Sequence, residues 1–340
     1  MIKNKTKIVA IGGGTGLSVL LSGLKHYTSN ITAVVNVVDD GGSSGRLRED
    51  LGMLPPGDIR ACLVALANTE TDLQQLFQYR FSDGELNGQS FGNLFLAAMN
   101  EVFGSFDVAV QKTANILAIT GRVLPMTLED VALVAELSNG DTIQGESVIP
   151  DYVRTHNTRI ERVYMTKENP LPVPATLAAI QDADLILLGP GSLYTSVMPN
   201  LLVGGLVDAL LRSPAPVIYV CNVMTQAGET DGYSLSDHVR AILAHTNKPF
   251  IDEVFYNTAP VPDDVARHYY DMNKTVPLYV TEEDTAYFDA MNMKSTGGAF
   301  IDVKKNYIRH NSYALLEKII EGRTRIYRKP HENGMHSSVL

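Results

Sequence analysis

Residues 12–16, Gly-Gly-Gly-Thr-Gly, put four glycines into five positions between an apolar run and leucines at helical spacing. Glycine permits positive φ and close backbone approach, and the first N–H groups of a following helix can meet a phosphate. Gly13, Gly14, Thr15 and Gly16 are therefore candidate phosphate contacts. A tight βα turn without a ligand is the competing reading. Gly12 and Gly14 fit the first two places of the dinucleotide fingerprint, but Leu17 stands at the third. No Gly-Lys-Ser/Thr comes after it, so this is not a Walker A loop.

A second constellation, Asp39-Asp40-Gly41-Gly42-Ser43-Ser44-Gly45-Arg46-Leu47-Arg48, closes the next apolar run. An acid at that strand end stands where a dehydrogenase holds a ribose hydroxyl. The residues after the two acids read as a flexible loop rich in donors, with Ser43, Ser44 and the charge of Arg46 as candidate ligand contacts. Carboxylates beside an anion-binding loop suit a magnesium–diphosphate pair, in which the cation offsets both charges. In Pro55-Pro56-Gly57-Asp58, Asp58 is placed either to cap the next helix or to face the same sheet edge as Asp39 and Asp40. The stretch 189–196, Gly-Pro-Gly-Ser-Leu-Tyr-Thr-Ser, repeats the strand-to-glycine pattern half a chain later. It offers Gly189, Gly191, Ser192, Thr195 and Ser196 to oxygens, and Tyr194 to a base or ring. It is no G-x-S-x-G nucleophile elbow. Asn93, in Ser90-Phe91-Gly92-Asn93, is either a ligand contact or an inner helix residue.

These motifs need elements to hold them. The β-branched run 7–11 stops at glycines, and Leu17, Leu20, Leu21 and Leu24 then recur at helical spacing, which predicts strand, turn and helix. Further strands are expected at 31–38, 184–188, 217–221, 251–256 and 299–303, and helices from Ile59 to Ala67 and over 238–245. Strand–helix alternation of this kind implies a parallel sheet covered by helices. The expected fold is α/β, a Rossmann-like three-layer α/β/α arrangement. The stretch 131–149 alternates around Asn139-Gly140, a hairpin signal. One domain over 1–328 is expected, with a helical region at about 70–105, an antiparallel β extension at about 116–165, and a flexible tail at 329–340.

Composition narrows the function classes. The chain has 340 residues, 38 acidic and 28 basic, for a formal charge of −10. A general nucleic-acid binder usually carries a basic balance, so no nucleic-acid partner is expected. The two cysteines, Cys62 and Cys221, are too few for a disulfide scaffold and are expected in the core. The eight histidines show no zinc-ligand spacing. Lys3, Lys5 and Lys7 before an apolar run mimic a leader, but the glycines break the run. No stretch of about 18 apolar residues occurs, so no membrane insertion is expected and the protein reads as cytoplasmic.

Together, IGGGTGLSVLLSGL, VVDDGGSSGRLRED, PPGDIR, SFGNLFLAAM and GPGSLYTSVMPNLLV, in that order, resemble the YvcK-type gluconeogenesis factors. These belong to the CofD-like superfamily, whose enzymatic member is 2-phospho-L-lactate transferase. The resemblance implies a nucleoside-diphosphate ligand at the sheet edge, in the YvcK branch a UDP-sugar, notably UDP-N-acetylglucosamine. It implies a regulatory role in gluconeogenic growth, cell shape and peptidoglycan assembly, with no established reaction and no required cofactor. It also implies a homodimer and cell-wall or cell-shape protein partners. Carried over by position, Gly13, Gly14, Thr15 and Gly16 cradle phosphates, and Gly189, Gly191, Ser192 and Thr195 form the facing loop. Tyr270 and Arg309 match sugar-nucleotide contacts. In the transferase branch magnesium assists, and Asp40 and Asp58 match its two acids. The loop at 41–48 departs from that branch. Three readings are open: a UDP-sugar-binding regulator, a magnesium-dependent transferase acting on a nucleoside-diphosphate ester, and an NAD(P)-binding oxidoreductase. Leu17 and the lack of a proton-relay histidine stand against the last.

Overall fold

The computed structural model describes residues 5–304 and 307–324. The expected tail at 329–340 lies outside the described residues. Seven parallel strands form the main sheet: β1 (Ile8–Gly12), β2 (Ile31–Val35), β3 (Arg122–Pro125), β7 (Leu185–Leu188), β8 (Val217–Val220), β9 (Glu253–Asn257) and β10 (Lys294–Gly298). Between β3 and β7 the chain builds a three-stranded antiparallel sheet from β4 (Leu133–Leu137), β5 (Thr142–Gln144) and β6 (Ile160–Met165). A ribbon of β11 (Ile301–Lys304) and β12 (Tyr307–His310) comes after β10.

Strand order in the main sheet is β10-β9-β8-β7-β1-β2-β3. β1 therefore pairs with β2 on one side, Ile8 opposite Ile31, and with β7 on the other, Ile8 opposite Leu185. The chain winds outward from β1 in one direction, then returns to its other side at β7 and winds the opposite way. Ligands in such sheets bind at this reversal, beyond the carboxyl ends of the strands. The loops after β1 and β7 are the two glycine loops, so connectivity alone sets them face to face.

β1, β2, β7 and β8 are buried along their whole length, which is why they read as unbroken apolar runs. Helix α1 (Gly14–Tyr27) buries Leu17, Leu20, Leu21 and Leu24. Its neighbours are the C-terminal helix Ser312–Thr324 and the helix Gly57–Leu66. Fully burying one such leucine contributes about 1.5–3 kcal/mol, so this stripe fixes α1 and the loop before it. Cys62 and Cys221 are free and buried. Among the described residues no single helix is long and apolar enough to cross a membrane.

Several expected boundaries move. The second strand ends at Val35, and the buried segment 36–38 continues beyond it, its Asn36 N–H donating to the Gly12 carbonyl at 3.1 Å. The stretch read as a flexible loop is mostly helix, α2 (Gly42–Leu51). The next helix, α3 (Gly57–Leu66), starts two residues early. Three further helices, α4 (Thr71–Gln78), α5 (Phe91–Phe103) and α6 (Phe106–Ile116), carry the helical region past 105. β3 lies inside the expected antiparallel extension but joins the parallel sheet through Thr32 opposite Arg122. The hairpin at Asn139-Gly140 is β4–β5. β10, Lys-Ser-Thr-Gly-Gly, is an edge strand that alternation does not signal, because glycine is depleted in strands.

Candidate functional site

The first wall is the start of α1. Gly13 holds the N-cap position in extended backbone, and Gly14 has φ +61°. A Cβ on Gly13 would lie 2.0 Å from Asn36 Nδ2 and 2.5 Å from Asp58 Oδ2, so only glycine fits under these side chains. The Gly14 N–H donates to Asp58. The N–H groups after it have no intrahelical acceptor, and the helix dipole adds positive potential there.

The second wall is the loop after β7. A Cβ on Gly16 would lie 2.4 Å from the Pro190 carbonyl oxygen, so the two glycine loops touch backbone to backbone. The Gly189-Pro190 peptide is cis. Beyond it, Ser192 starts a single π-helical turn, Leu193–Val197, a widened turn of the type often found at functional sites. The Gly191 N–H donates to Asn222 Oδ1 at 3.3 Å.

The third wall is acidic. Asp39 accepts the Gly41 N–H at 3.0 Å. Asp58 accepts from Asn36 Nδ2 at 3.2 Å. It lies in the first turn of α3 with Pro56 at the N-cap, so of its two readings the one facing the sheet edge beside Asp39 holds, and the capping one does not. Burial, and then the charge of Asp39, push the Asp58 carboxyl up to about 6, against the pull of the Gly14 and Asn36 donors. Glu146 completes this wall. Burial pushes it up to about 8, helped by Asp39, Glu229, Asp58 and Asp40. At neutral pH it is mostly protonated, which lowers the negative charge opposite the phosphate loop.

These walls enclose a cavity of about 310 Å³, lined by Gly13, Gly14, Thr15, Gly16, Asn36, Asp39, Asp58, Glu146, Gly191, Ser192 and Ser196. Ser192 also lines a larger cavity of about 530 Å³ beside it. That one is walled by Arg154, from helix α7 (Ile149–Thr155), and by Asn222, Gln226, Tyr269, Arg309 and His310. Arg154 is ion-paired with Asp151. His310 Nε2 pairs with the Cys221 carbonyl at 3.2 Å, and burial pushes the ring down to about 4, so it is neutral.

The sequence candidates therefore divide. Gly13, Gly14, Thr15, Gly16, Asp39, Asp58, Gly191 and Ser192 meet in the smaller cavity, and Arg309 in the larger. Asp40 turns away: its two oxygens accept the N–H groups of Glu146 and Ser147. Ser43 is buried, donating to Gln89 at 2.6 Å and accepting from Asn93 at 3.1 Å. Ser44 accepts the Gly57 N–H at 3.1 Å. This buried network ties α2, α3 and α5 together behind the acidic wall. Arg46 donates to the Asn87 carbonyl at 3.0 Å. Gly189 lines neither cavity, and its N–H donates to the Ile11 carbonyl at 2.8 Å. Thr195 donates its hydroxyl to Glu229. Tyr194, expected to stack on a ring, is 2% exposed and bonded to the Tyr233 hydroxyl, so it stacks on no ligand. Tyr270 is half exposed, under the Lys274 ammonium, and the aromatic residue in the cavity wall is its neighbour Tyr269.

Asn36 had a signal, as the polar residue interrupting a buried apolar run. Glu146 had none, because only its tertiary contact with Asp40 brings it to the cavity. Asp39 and Asp58 supply the hard oxygens magnesium prefers. Among the described residues no three His, Cys, Asp or Glu side chains are grouped to hold a metal. Asp39 and Asp58 line the cavity, whereas both oxygens of Asp40 are engaged by backbone N–H groups.

Residues 8–300 match the family model described as 2-phospho-L-lactate transferase CofD. The gluconeogenesis factor of Bacillus subtilis (strain 168) is 44% identical over 318 residues, covering 93% of this chain and 98% of the relative. That of Halalkalibacterium halodurans is 44% identical over 322 residues, covering 94% and 98%. The crystal structure of a UPF0052 family protein from Bacillus halodurans superposes with a TM-score of 0.88 at 43% identity, covering 93% of this chain and 100% of that one.

Proposed function

The chain belongs to the CofD family, and on that premise we propose that it is a gluconeogenesis factor that binds a nucleoside-diphosphate sugar, UDP-N-acetylglucosamine, without turning it over. The observation that carries this reading is the pair of cavities meeting at Ser192. The smaller offers what a diphosphate needs: a helix N-terminus, glycines that let backbone approach, and the hydroxyls of Ser192 and Ser196. The larger offers polar and aromatic side chains, with Arg309, on the scale of a sugar or nucleoside. Both volumes fall in the usual range of ligand pockets, about 300–1,000 Å³. The relatives named gluconeogenesis factor supply the physiological role. We place the bound state upstream of cell shape and peptidoglycan assembly, read by protein partners, with the chain acting as a homodimer.

The second reading is a magnesium-dependent transferase, favoured by Asp39 and Asp58 at the phosphate end. The oxidoreductase reading has less support, since Leu17 is fully buried where a dinucleotide fold places its third glycine.

Titration calorimetry with UDP-N-acetylglucosamine, UDP, GDP and NAD tests the proposal. Saturable binding of the UDP-sugar, tighter than of UDP or GDP, with no NAD binding, is expected. Binding of NAD alone overturns it.

A further inference from the structure

Glu229 lines neither cavity, yet it bonds Gln226 in the wall of the larger, and Tyr194 and Thr195 between the Ser192 and Ser196 of the smaller. It is 4% exposed. Its Oε2 accepts the Tyr194 N–H at 3.1 Å. Its Oε1 accepts the Thr195 hydroxyl at 3.0 Å and the Gln226 side-chain amide at 2.6 Å. The Thr195 N–H points to it as well. A buried carboxylate is costly unless hydrogen-bonded, and here donors surround it. Those donors come from two places. Tyr194 and Thr195 open the π-helical turn whose ends present Ser192 and Ser196 to the smaller cavity. Gln226 belongs to the wall of the larger one.

Within the π turn the Ser196 and Val197 N–H groups both donate to the Ser192 carbonyl at 2.9 Å. The turn therefore hangs from Ser192 at one side and from Glu229 at the other. Glu229 occupies, from within the chain, the anion position at the start of this turn. The Tyr194 and Thr195 N–H groups are spent there, while Ser192 and Ser196 line the smaller cavity with their hydroxyls.

We propose that Glu229 is a positioning residue for the diphosphate, fixing the turn that presents Ser192 and Ser196 and tying it to the Gln226 wall. The proposal rests on the reading of the smaller cavity as a phosphate site, though not on the identity of base or sugar. It also assigns Thr195 an indirect role, through Glu229.

The test uses inorganic pyrophosphate on the full chain, with Glu229→Gln and Thr195→Val. A neutral amide cannot accept from all four donors, so Glu229→Gln should weaken pyrophosphate binding roughly tenfold. Thr195→Val, near-isosteric, removes one link and should weaken it less. The double variant should bind no worse than Glu229→Gln, since both act through one network. In amide NMR spectra of the ligand-free protein the Tyr194 resonance should move in Glu229→Gln. A purely structural Glu229 would lower the melting temperature and leave affinity below melting unchanged, and that result overturns the proposal. So do additive losses in the double variant, or a Tyr194 amide unmoved in Glu229→Gln. Should Glu229→Gln fail to fold, Thr195→Val decides alone: wild-type affinity overturns the proposal. If wild type binds no pyrophosphate, the phosphate-site reading falls and takes this inference with it. If wild type binds and the variants match it, only the inference falls.

Discussion

The carboxylate of Asp40 accepts the backbone N–H of Glu146 at 2.9 Å, across a sequence separation of 106 residues. Its other oxygen accepts the Ser147 N–H at 2.8 Å. Asp40 thus holds the turn that carries Glu146, whose carboxyl is pushed up to about 8, into the cavity wall, and Asp39 beside it does the facing.

The neighbours should separate on substitution. Asp40→Asn loses a charge-assisted bond and turns an N–H₂ toward a donor, costing about 1.5–3 kcal/mol of stability. Ligand affinity should fall with it, equally with and without magnesium. Asp39→Asn relieves repulsion on Asp58 and Glu146 and should change stability by less than about 1 kcal/mol. Urea unfolding of both checks this; a larger loss in Asp39→Asn reverses the assignment.

The glycines of the first loop should also differ. Gly14→Ala places an L side chain at φ +61° with no atom closer than 3.7 Å, a cost of about 1–2 kcal/mol. Gly16→Ala drives a Cβ to 2.4 Å from a backbone oxygen that cannot yield, and should separate the two loops. Urea midpoints and pyrophosphate affinity should show Gly16→Ala the more damaging in both. Equal stabilities would mean the loops do not touch.

Above about pH 6.5, where the buried histidines His238, His245 and His310 no longer titrate in either state, the unliganded fold should lose stability as pH rises. Glu146 titrates at about 8 and Glu229 at about 7 in the folded state, against a usual value of 4.5. The folded state therefore holds protons that the unfolded chain releases above its own pKa, and stability falls through that window. Glu146→Gln should flatten the part between about pH 7 and 8. Thermal unfolding from about pH 6.5 to 9 checks the slope; a rise across that range contradicts it.

In the larger cavity Tyr269, whose hydroxyl accepts the Ile308 N–H at 3.1 Å, should matter where Tyr270 does not. Tyr269→Ala and Arg309→Ala should weaken UDP-N-acetylglucosamine at least tenfold while sparing pyrophosphate, and Tyr270→Ala should do neither. Calorimetry with both probes separates the cavities. Loss of pyrophosphate binding in Arg309→Ala would mean the diphosphate extends past Ser192.

The sheet and both glycine loops were legible because they depend on local signals: apolar runs that stop at glycine, then leucines at helical spacing. Sequence order also placed the loops at one edge, through the parallel rule. Direction of side chains was not legible. Nothing in the run Asp39-Asp40 says which acid turns to the cavity, since a contact with residue 146 decides it. Thr195 and Ser196 are equally good donors by type, and Glu229 decides which is spent internally. Ser43 and Ser44 read as ligand contacts because a helix start and a donor-rich loop share one composition, and of the two readings of Asn93 the inner helix residue holds.

The proposed diphosphate-sugar binder should need neither metal nor turnover. Its most direct test is thermal unfolding with UDP-N-acetylglucosamine at about 100 times its dissociation constant, with magnesium and with chelator, the nucleotide assayed afterwards. Stabilisation of about 2.7 kcal/mol in both conditions, with the UDP-sugar recovered intact, is the expected result. Stabilisation lost to chelator, with magnesium-dependent release of UMP or UDP that disappears in Asp39→Asn or Asp58→Asn, would contradict it and establish a transferase.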